Sequence, residues 1–451
     1  MKYCFSTPFL HLRAGALLLL LLCCLLSCGP NRTYTGAEIA TTWAEMTLKI
    51  TKGTPGNSPT YASRCLGYIG LTMYESVVEG NAEYRSLVGQ LSNLPALPPP
   101  SAENSYSYEL ALNAGQAEIL RKLYNHTSDE NKVSIDSLEK EITEYVGRNL
   151  DDATVERSLR YGQRIAQGIF EWSKSDGGHR AYLRNFDKQM VHPEFPGSWK
   201  PPLYAQAISH HPLHPHWGQN RPLLPTNYGL AAPEFIPYDT TPGSTYYEQF
   251  RAVYEAELVL TQEQKEIAIW WGDDPDETFT PPGHSYYIAT LLLKDRKADM
   301  ITCAQTYAAT GMAVADAFIN CWKWKYQFFS ERANTFVPKY IDEEWESFWP
   351  DPPFPSFPSG HAIQAAAGMT VLSGLHGDDF TFTDRCHVGR RRDEVRDVDF
   401  RERSFTSLWA VALETADSRF YGGIHIPLDN EAGLEKGKII GGNVLNLRWQ
   451  K

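Results

Sequence analysis

From Ala298 to Phe329 apolar residues recur at helical spacing without a proline, and so long a periodic run reads as one extended helix. The same period runs through Tyr34–Val78, broken by Gly53-Thr54-Pro55-Gly56 and Ser58-Pro59, and through Tyr106–Tyr124 and Val133–Trp172. It returns at Ser244–Val259, Gln262–Trp271, Tyr286–Leu293, His361–Leu375 and Phe405–Arg419, where Ser404 is the expected N-cap, and in a last helix after Pro427. No stretch shows a convincing strand alternation. These patterns predict an all-α chain of two helical bundles with long ordered loops. The expected divisions are a leader at 1–27, an N-terminal bundle at 28–175, a Pro-, His- and aromatic-rich loop region at 176–245, and a C-terminal bundle at 246–451. The turn-rich segment Gly272–Gly283, the Pro- and Trp-rich segment Phe336–Pro358 and the polar segment Gly377–Arg403 read as loops.

The leader carries Lys2 and Arg13, then an apolar run over Ala14–Leu26 that ends Leu25-Leu26-Ser27-Cys28. That run is short for a membrane span and ends in a small residue before cysteine, as in a secretion signal. It resembles the lipobox of bacterial lipoproteins, which implies acylation of Cys28 and an exported cell-envelope protein touching a membrane only through its lipid. An ordinary signal peptide or N-terminal anchor is the other reading. The formal charge is −12 for the whole chain, and −14 without Lys2 and Arg13. Such an acidic balance argues against nucleic acid as a partner. Cys65, Cys303, Cys321 and Cys386 are widely spaced, without the pairing that marks a zinc ribbon or a disulfide framework.

Against that acidic background, three short motifs concentrate cationic and donor groups. Pro358-Ser359-Gly360-His361 opens a helix: Ser359 can cap it, Gly360 lets an anion approach the free amides, and His361 stands where a proton can be exchanged. Ser418-Arg419 and His425 flank Gly422-Gly423, whose turn returns the imidazole toward the guanidinium, with Asp429 near enough to orient the ring. Trp322, Lys325 and Arg332 fall at positions that place them close to one helical face. Singly, each motif reads as readily as a capped helix, a solvated turn or a basic stripe. Together they suit a tetrahedral oxyanion, phosphate or vanadate, because arginine forks match oxyanion geometry and lysine adds a point charge.

In that order, Lys325-x6-Arg332, Pro358-Ser359-Gly360-His361 and Ser418-Arg419-x5-His425 resemble the signature motifs of the superfamily that joins vanadium-dependent haloperoxidases with type-2 phosphatidic acid phosphatases. The resemblance covers roughly residues 262–442 and implies helical bundles of haloperoxidase type. It implies that Lys325, Arg332, Ser359, Gly360 and Arg419 hold the non-bridging oxygens. His425 would be the axial vanadium ligand or a phosphorylated nucleophile, and His361 the acid/base. Trp322 and Phe354 stand where chloroperoxidase-type members place aromatics along the halide site. Asp273-Asp274-Pro275 and Thr280-Pro281-Pro282-Gly283-His284 look like bacterial haloperoxidase-type proteins. Ala333 departs from the pattern, which usually has proline after the arginine.

Three functions remain on this reading. The first is a vanadate-dependent haloperoxidase-like enzyme that oxidises halide with hydrogen peroxide. The second is a phosphatase acting on a phosphoester through a histidine nucleophile. The third is a non-catalytic oxyanion-binding envelope lipoprotein. His210-His211-Pro212-Leu213-His214-Pro215-His216 could bind a metal but reads better as a polar aromatic loop near the pocket mouth. Asp273, Asp274, Asp276 and Glu277 could hold calcium or orient an arginine, or simply make a turn. His284 has no assignable role, and Arg390-Arg391-Arg392 reads as a solvated loop.

Overall fold

The computed structural model describes Met1 and residues 33–451, apart from residues 103, 203, 204, 207, 208 and 276. The leader and Cys28 therefore lie outside the described residues, as does Asp276. In chain order the helices are α1 (Gly36–Lys52), α2 (Pro59–Val77), α3 (Tyr108–Leu123), α4 (Asp129–Gly147), α5 (Asp152–Ser173), α6 (Pro225–Tyr228), α7 (Thr245–Glu257) and α8 (Gln262–Trp270). They continue as α9 (Thr280–Arg296), α10 (Met300–Phe328), α11 (Ala333–Tyr340) and α12 (Gly360–His376). A hairpin of β1 (Asp379–Asp384) and β2 (Arg403–Ser407) precedes α13 (Leu408–Tyr421) and α14 (Pro427–Leu445). The chain is predominantly helical, as expected from its periodicity.

Local chemistry sets most helix starts. Ser58, Ser107, Ser128, Asp151, Ser244, Thr261, Asp299 and Ser359 each accept a backbone N–H of the first turn, a contact worth about 1 kcal/mol. Pro59 and Pro427 occupy first-turn positions where a missing N–H costs nothing.

Three boundaries differ from the sequence expectation. Ser404 and Phe405 lie in β2, paired antiparallel with Phe382 and Thr383, and the cap of α13 is Ser407, which accepts from Ala410 N. The polar segment 377–403 hid β1 because its inward positions are Phe380, Phe382 and the charged Asp384, which breaks the apolar alternation. Helix α9 begins at Thr280, with Pro281 and Pro282 in its first turn, earlier than the apolar run suggested. Helix α11 occupies the start of what read as loop 336–358.

Helix α10 runs through the middle of the molecule, buried along most of its length and packed chiefly on α2. One hydrophobic core spans α2, α10, α12 and their neighbours. The loop region 176–245 is tied to that core by charge: Asp316 on α10 accepts from Leu223 N at 2.7 Å, Leu224 N at 3.1 Å and Asn227 Nδ2 at 2.8 Å. Arg64 and Asp176, both buried, pair at 2.6 Å.

The contact that positions the site is between α12 and α14. Gly433, Gly437 and Gly441 form a stripe on α14 facing Ser359, Ile363 and Ala367 of α12. A Cβ at Gly437 would stand 2.4 Å from the Ile363 carbonyl, so only glycine permits this approach. The start of α12 is thereby seated on the start of α14, and Ser359 N donates to the Asp429 carbonyl at 2.9 Å.

Candidate functional site

Four elements converge on one cleft. Trp322 and Lys325 lie on the last turns of α10, which ends where Phe329 turns left-handed. Arg332 lies beyond that helix, just ahead of α11, so the three residues do not share one helical face as their spacing suggested. Ala333 takes the first position of α11, where a proline would also fit, and the local turn survives its absence. Ser359 caps α12, with Gly360 and His361 in its first turn. Arg419 ends α13, and His425 sits just before α14.

Between Arg419 and His425 the chain reverses through Gly422 and Gly423. Gly423 has φ +71°, and a Cβ there would fall 2.1 Å from the Glu257 carboxylate. Its turn returns Ile424 N and His425 N to the Arg419 carbonyl at 3.2 and 3.3 Å. Asp429 in the first turn of α14 accepts from His425 Nδ1 at 2.7 Å and from Ser356 Oγ at 2.5 Å. Nδ1 is thus committed, and Nε2 is the nitrogen left for a ligand.

The structure brings every sequence-selected site residue it describes to this place. Lys325, Arg332, Ser359, Arg419 and His425 are all buried, and Trp322, Phe354, Gly360, His361, Arg419 and His425 line a cleft of about 1040 Å³. Trp322 and Phe354 pack in a tilted arrangement at 4.9 Å between centroids, and the Lys325 ammonium lies 5.2 Å from the Phe354 ring centre.

Among the described residues these cations hydrogen-bond neutral partners. Lys325 Nζ donates to the carbonyls of Pro355, at 2.9 Å, and Ser356. Arg332 donates to the carbonyls of Phe354, Ile424 and Pro355 at 3.0, 2.6 and 3.3 Å. Arg419 donates to Ser418 Oγ at 3.1 Å and to the Ala268 carbonyl at 2.8 Å. Burial therefore weighs on the charged forms. It pushes the Lys325 and Arg332 values down, and takes Arg419 down to about 10 despite the nearby Asp274 carboxylate. His361 is pushed to about 3 by burial and then by Arg419, and His425 falls well below its usual value through burial and the surrounding cations. Buried cations without a charged partner are costly, and a multiply charged anion among them would reverse the cost. Among the described residues the buried His361 Nε2 has no hydrogen-bond partner, and the Gly272 backbone lies against the ring. A tetrahedral oxyanion fits this donor set.

Other candidates resolve differently. His214 is buried, with Nδ1 at 2.5 Å from Thr60 Oγ1 and Nε2 at 3.2 Å from the Ala181 carbonyl, while the exposed His216 pairs with Asp187 at 3.1 Å. Those histidines point to separate partners, and Leu213 just before them lines the cleft. Arg390, Arg391 and Arg392 also border the cleft, each paired with an acid: Glu277, Glu394, and Asp397 with Asp399. Cys65, Cys303, Cys321 and Cys386 are free thiols.

Sequence reasoning named Asp273 and His284 but missed the cluster they form with Asp384, Cys386 and His387. His284 on α9 bonds Asp273 through Nδ1 at 2.7 Å and Asp384 through Nε2 at 2.6 Å, and His387 Nε2 bonds the other oxygen of Asp273 at 2.8 Å. Asp384 and His387 lie 100 and 114 residues from their partners His284 and Asp273, so no local pattern joins the two halves. The only local signal was the close spacing of Asp384, Cys386 and His387.

Residues 339–450 match the family described as the VCPO second helical-bundle domain. This stretch holds Ser359, Gly360, His361, Arg419 and His425. Among solved structures, the chain is similar to a bacterial vanadium-dependent iodoperoxidase, at 29% identity with a TM-score of 0.79, covering 94% of this chain and 98% of that one. It is also similar in fold to a bacterial vanadium-dependent chloroperoxidase in its holo form, at 16% identity and a TM-score of 0.66, over 87% of this chain and 92% of that one. No curated protein matches the chain.

Proposed function

On the likeness of residues 339–450 to the VCPO second helical-bundle domain and of the whole chain to a bacterial vanadium-dependent iodoperoxidase, we propose that it is a vanadate-dependent enzyme that oxidises halide with hydrogen peroxide. One observation carries the reading: three buried cations bonded to neutral acceptors surround an imidazole whose far nitrogen is fixed by a carboxylate. When bound, vanadate would supply the Lewis acid that activates hydrogen peroxide toward halide.

His425 would hold vanadate through Nε2, with Asp429 keeping the ring in the required tautomer and orientation. Lys325, Arg332 and Arg419 would neutralise the oxyanion's charge, and Ser359 Oγ and the Gly360 amide would add neutral donors. His361 would take or give a proton at Nε2. Each peroxide and halide consumed calls for one proton, and leaves a hypohalous acid and a water. Trp322 and Phe354 would keep water from the approaching halide. Iodide is the halide to try first, because the relative at 29% identity is an iodoperoxidase.

The segment ending Leu25-Leu26-Ser27-Cys28 supports an exported, lipid-anchored protein. Cys28→Ser should release it from membranes, and unchanged membrane association would count against the anchor.

The test of activity is triiodide formation from iodide and hydrogen peroxide by the purified, vanadate-loaded protein. Vanadate-dependent turnover is expected. Its absence, together with vanadate-inhibited release of phosphate from an aryl phosphate, would move the assignment to a histidine phosphatase. Absence of both activities would leave an oxyanion-binding lipoprotein.

A further inference from the structure

Beneath the cleft floor, the turn between α8 and α9 meets the turn that follows β1. Asp273, with φ +47°, accepts from both His284 and His387 and so occupies one nitrogen of each ring. The other nitrogen of His284 faces Asp384 and, at 3.5 Å, the Cys386 sulfur. One ligand atom each from His284, Cys386 and His387 falls within 4.8 Å of the others. Rings of Trp270, Trp271, Phe279 and Phe400 enclose the group, and both histidines are buried.

The bare hydrogen-bond network explains only part of this. It uses the Cys386 thiol only for a weak contact at 3.5 Å with a ring nitrogen that Asp384 already holds at 2.6 Å. Two features match a metal site instead. A thiolate and an imidazole on one tetrahedral zinc, at about 2.3 and 2.0–2.1 Å from it, stand about 3.5–3.6 Å apart. That is the separation found between Cys386 and His284. A carboxylate that receives the far N–H of each ligating imidazole is the usual outer support of such a site, and Asp273 does this for two rings at once.

We propose that His284, Cys386 and His387 bind a zinc-class divalent ion as its three protein ligands. Entry of the ion expels the Cys386 proton and the second proton of His284. Two positive charges replace two protons, so the buried net charge is unchanged. The ion would pin the Gly272–Asp274 turn, which supports His361 through the Gly272 backbone and places the Asp274 carboxylate within the field of Arg419.

The test is elemental analysis of the purified full chain, joined to cobalt(II) titration of chelator-treated protein. We expect about one zinc per chain, and a near-ultraviolet thiolate-to-cobalt band that Cys386→Ser abolishes while weakening cobalt binding at least about tenfold. Trace zinc together with no thiolate-to-cobalt band in the wild-type chain would overturn the proposal, as would a band that survives Cys386→Ser. Neither readout depends on vanadate or halide turnover.

Discussion

Asp429 accepts a hydrogen bond from His425 Nδ1 at 2.7 Å, four residues along the chain and across the first turn of α14. Both side chains are buried, so the carboxylate's influence on the ring is undiluted by water. Burial raises the Asp429 value, while Ser356, Lys325 and Arg332 act to keep it ionised. The pair sets which nitrogen of His425 is offered to a ligand. Asp429→Asn should therefore weaken vanadate binding about 10- to 100-fold while the fold is kept, measured by calorimetric titration. Equal affinity would show that the ring is oriented by packing alone.

Arg419 reaches the site from α13 with its guanidinium anchored on the Ala268 carbonyl at 2.8 Å. Removing one preorganised donor at a centre of developing charge costs about 10²–10³ in turnover. Arg419→Ala should lose that much halide oxidation, with a far-ultraviolet circular dichroism spectrum like the parent's. A loss of less than about tenfold would place the guanidinium outside the reacting centre.

Gly437→Ala tests how the site is assembled. The new methyl would press on the Ile363 carbonyl and Ala366 Cβ, at 2.4 and 2.6 Å, and force α12 away from α14. We expect a loss of about 1–3 kcal/mol in unfolding free energy, with weaker vanadate binding because Ser359 and His361 move with α12. Unchanged stability would mean the two helices do not pack as closely as described.

Stability should also depend on Glu75, buried on α2, where it accepts from Leu87 N and Ser86 Oγ, both at 2.8 Å. Burial pushes its carboxyl up to about 7. The folded chain thus holds this proton more tightly than the unfolded chain, whose value is about 4.3. Its contribution is complete below about pH 4 and is lost as pH rises through about 7, a change of roughly 3 kcal/mol. Glu75→Gln should flatten denaturant midpoints between about pH 5 and pH 8, and an unaltered slope would contradict the assignment.

The motifs were legible because each carries its geometry locally. Ser359 caps the helix it opens, Gly423 makes the turn that returns His425, and Pro427 starts α14. Arg332 was selected for the right site by the wrong geometry, since α10 ends before it. The boundary at α13 was misread because Ser404 and Ser407 both suit a cap, and only pairing with β1 places Phe405 in a strand. The cluster around His284 was invisible for a different reason. A lone histidine beside Pro-Pro-Gly carries no pattern, and its meaning comes from Asp384, Cys386 and His387 brought over by the hairpin.

The central claim is that Lys325, Arg332, Arg419 and His425 form one cradle for a tetrahedral oxyanion. Calorimetric titration of the purified chain with orthovanadate measures this directly, run beside the His425→Ala variant. The account predicts a single saturable site in the parent and binding weakened at least about a hundredfold in the variant. Failure of the parent to bind, or equal affinity in both proteins, would contradict it.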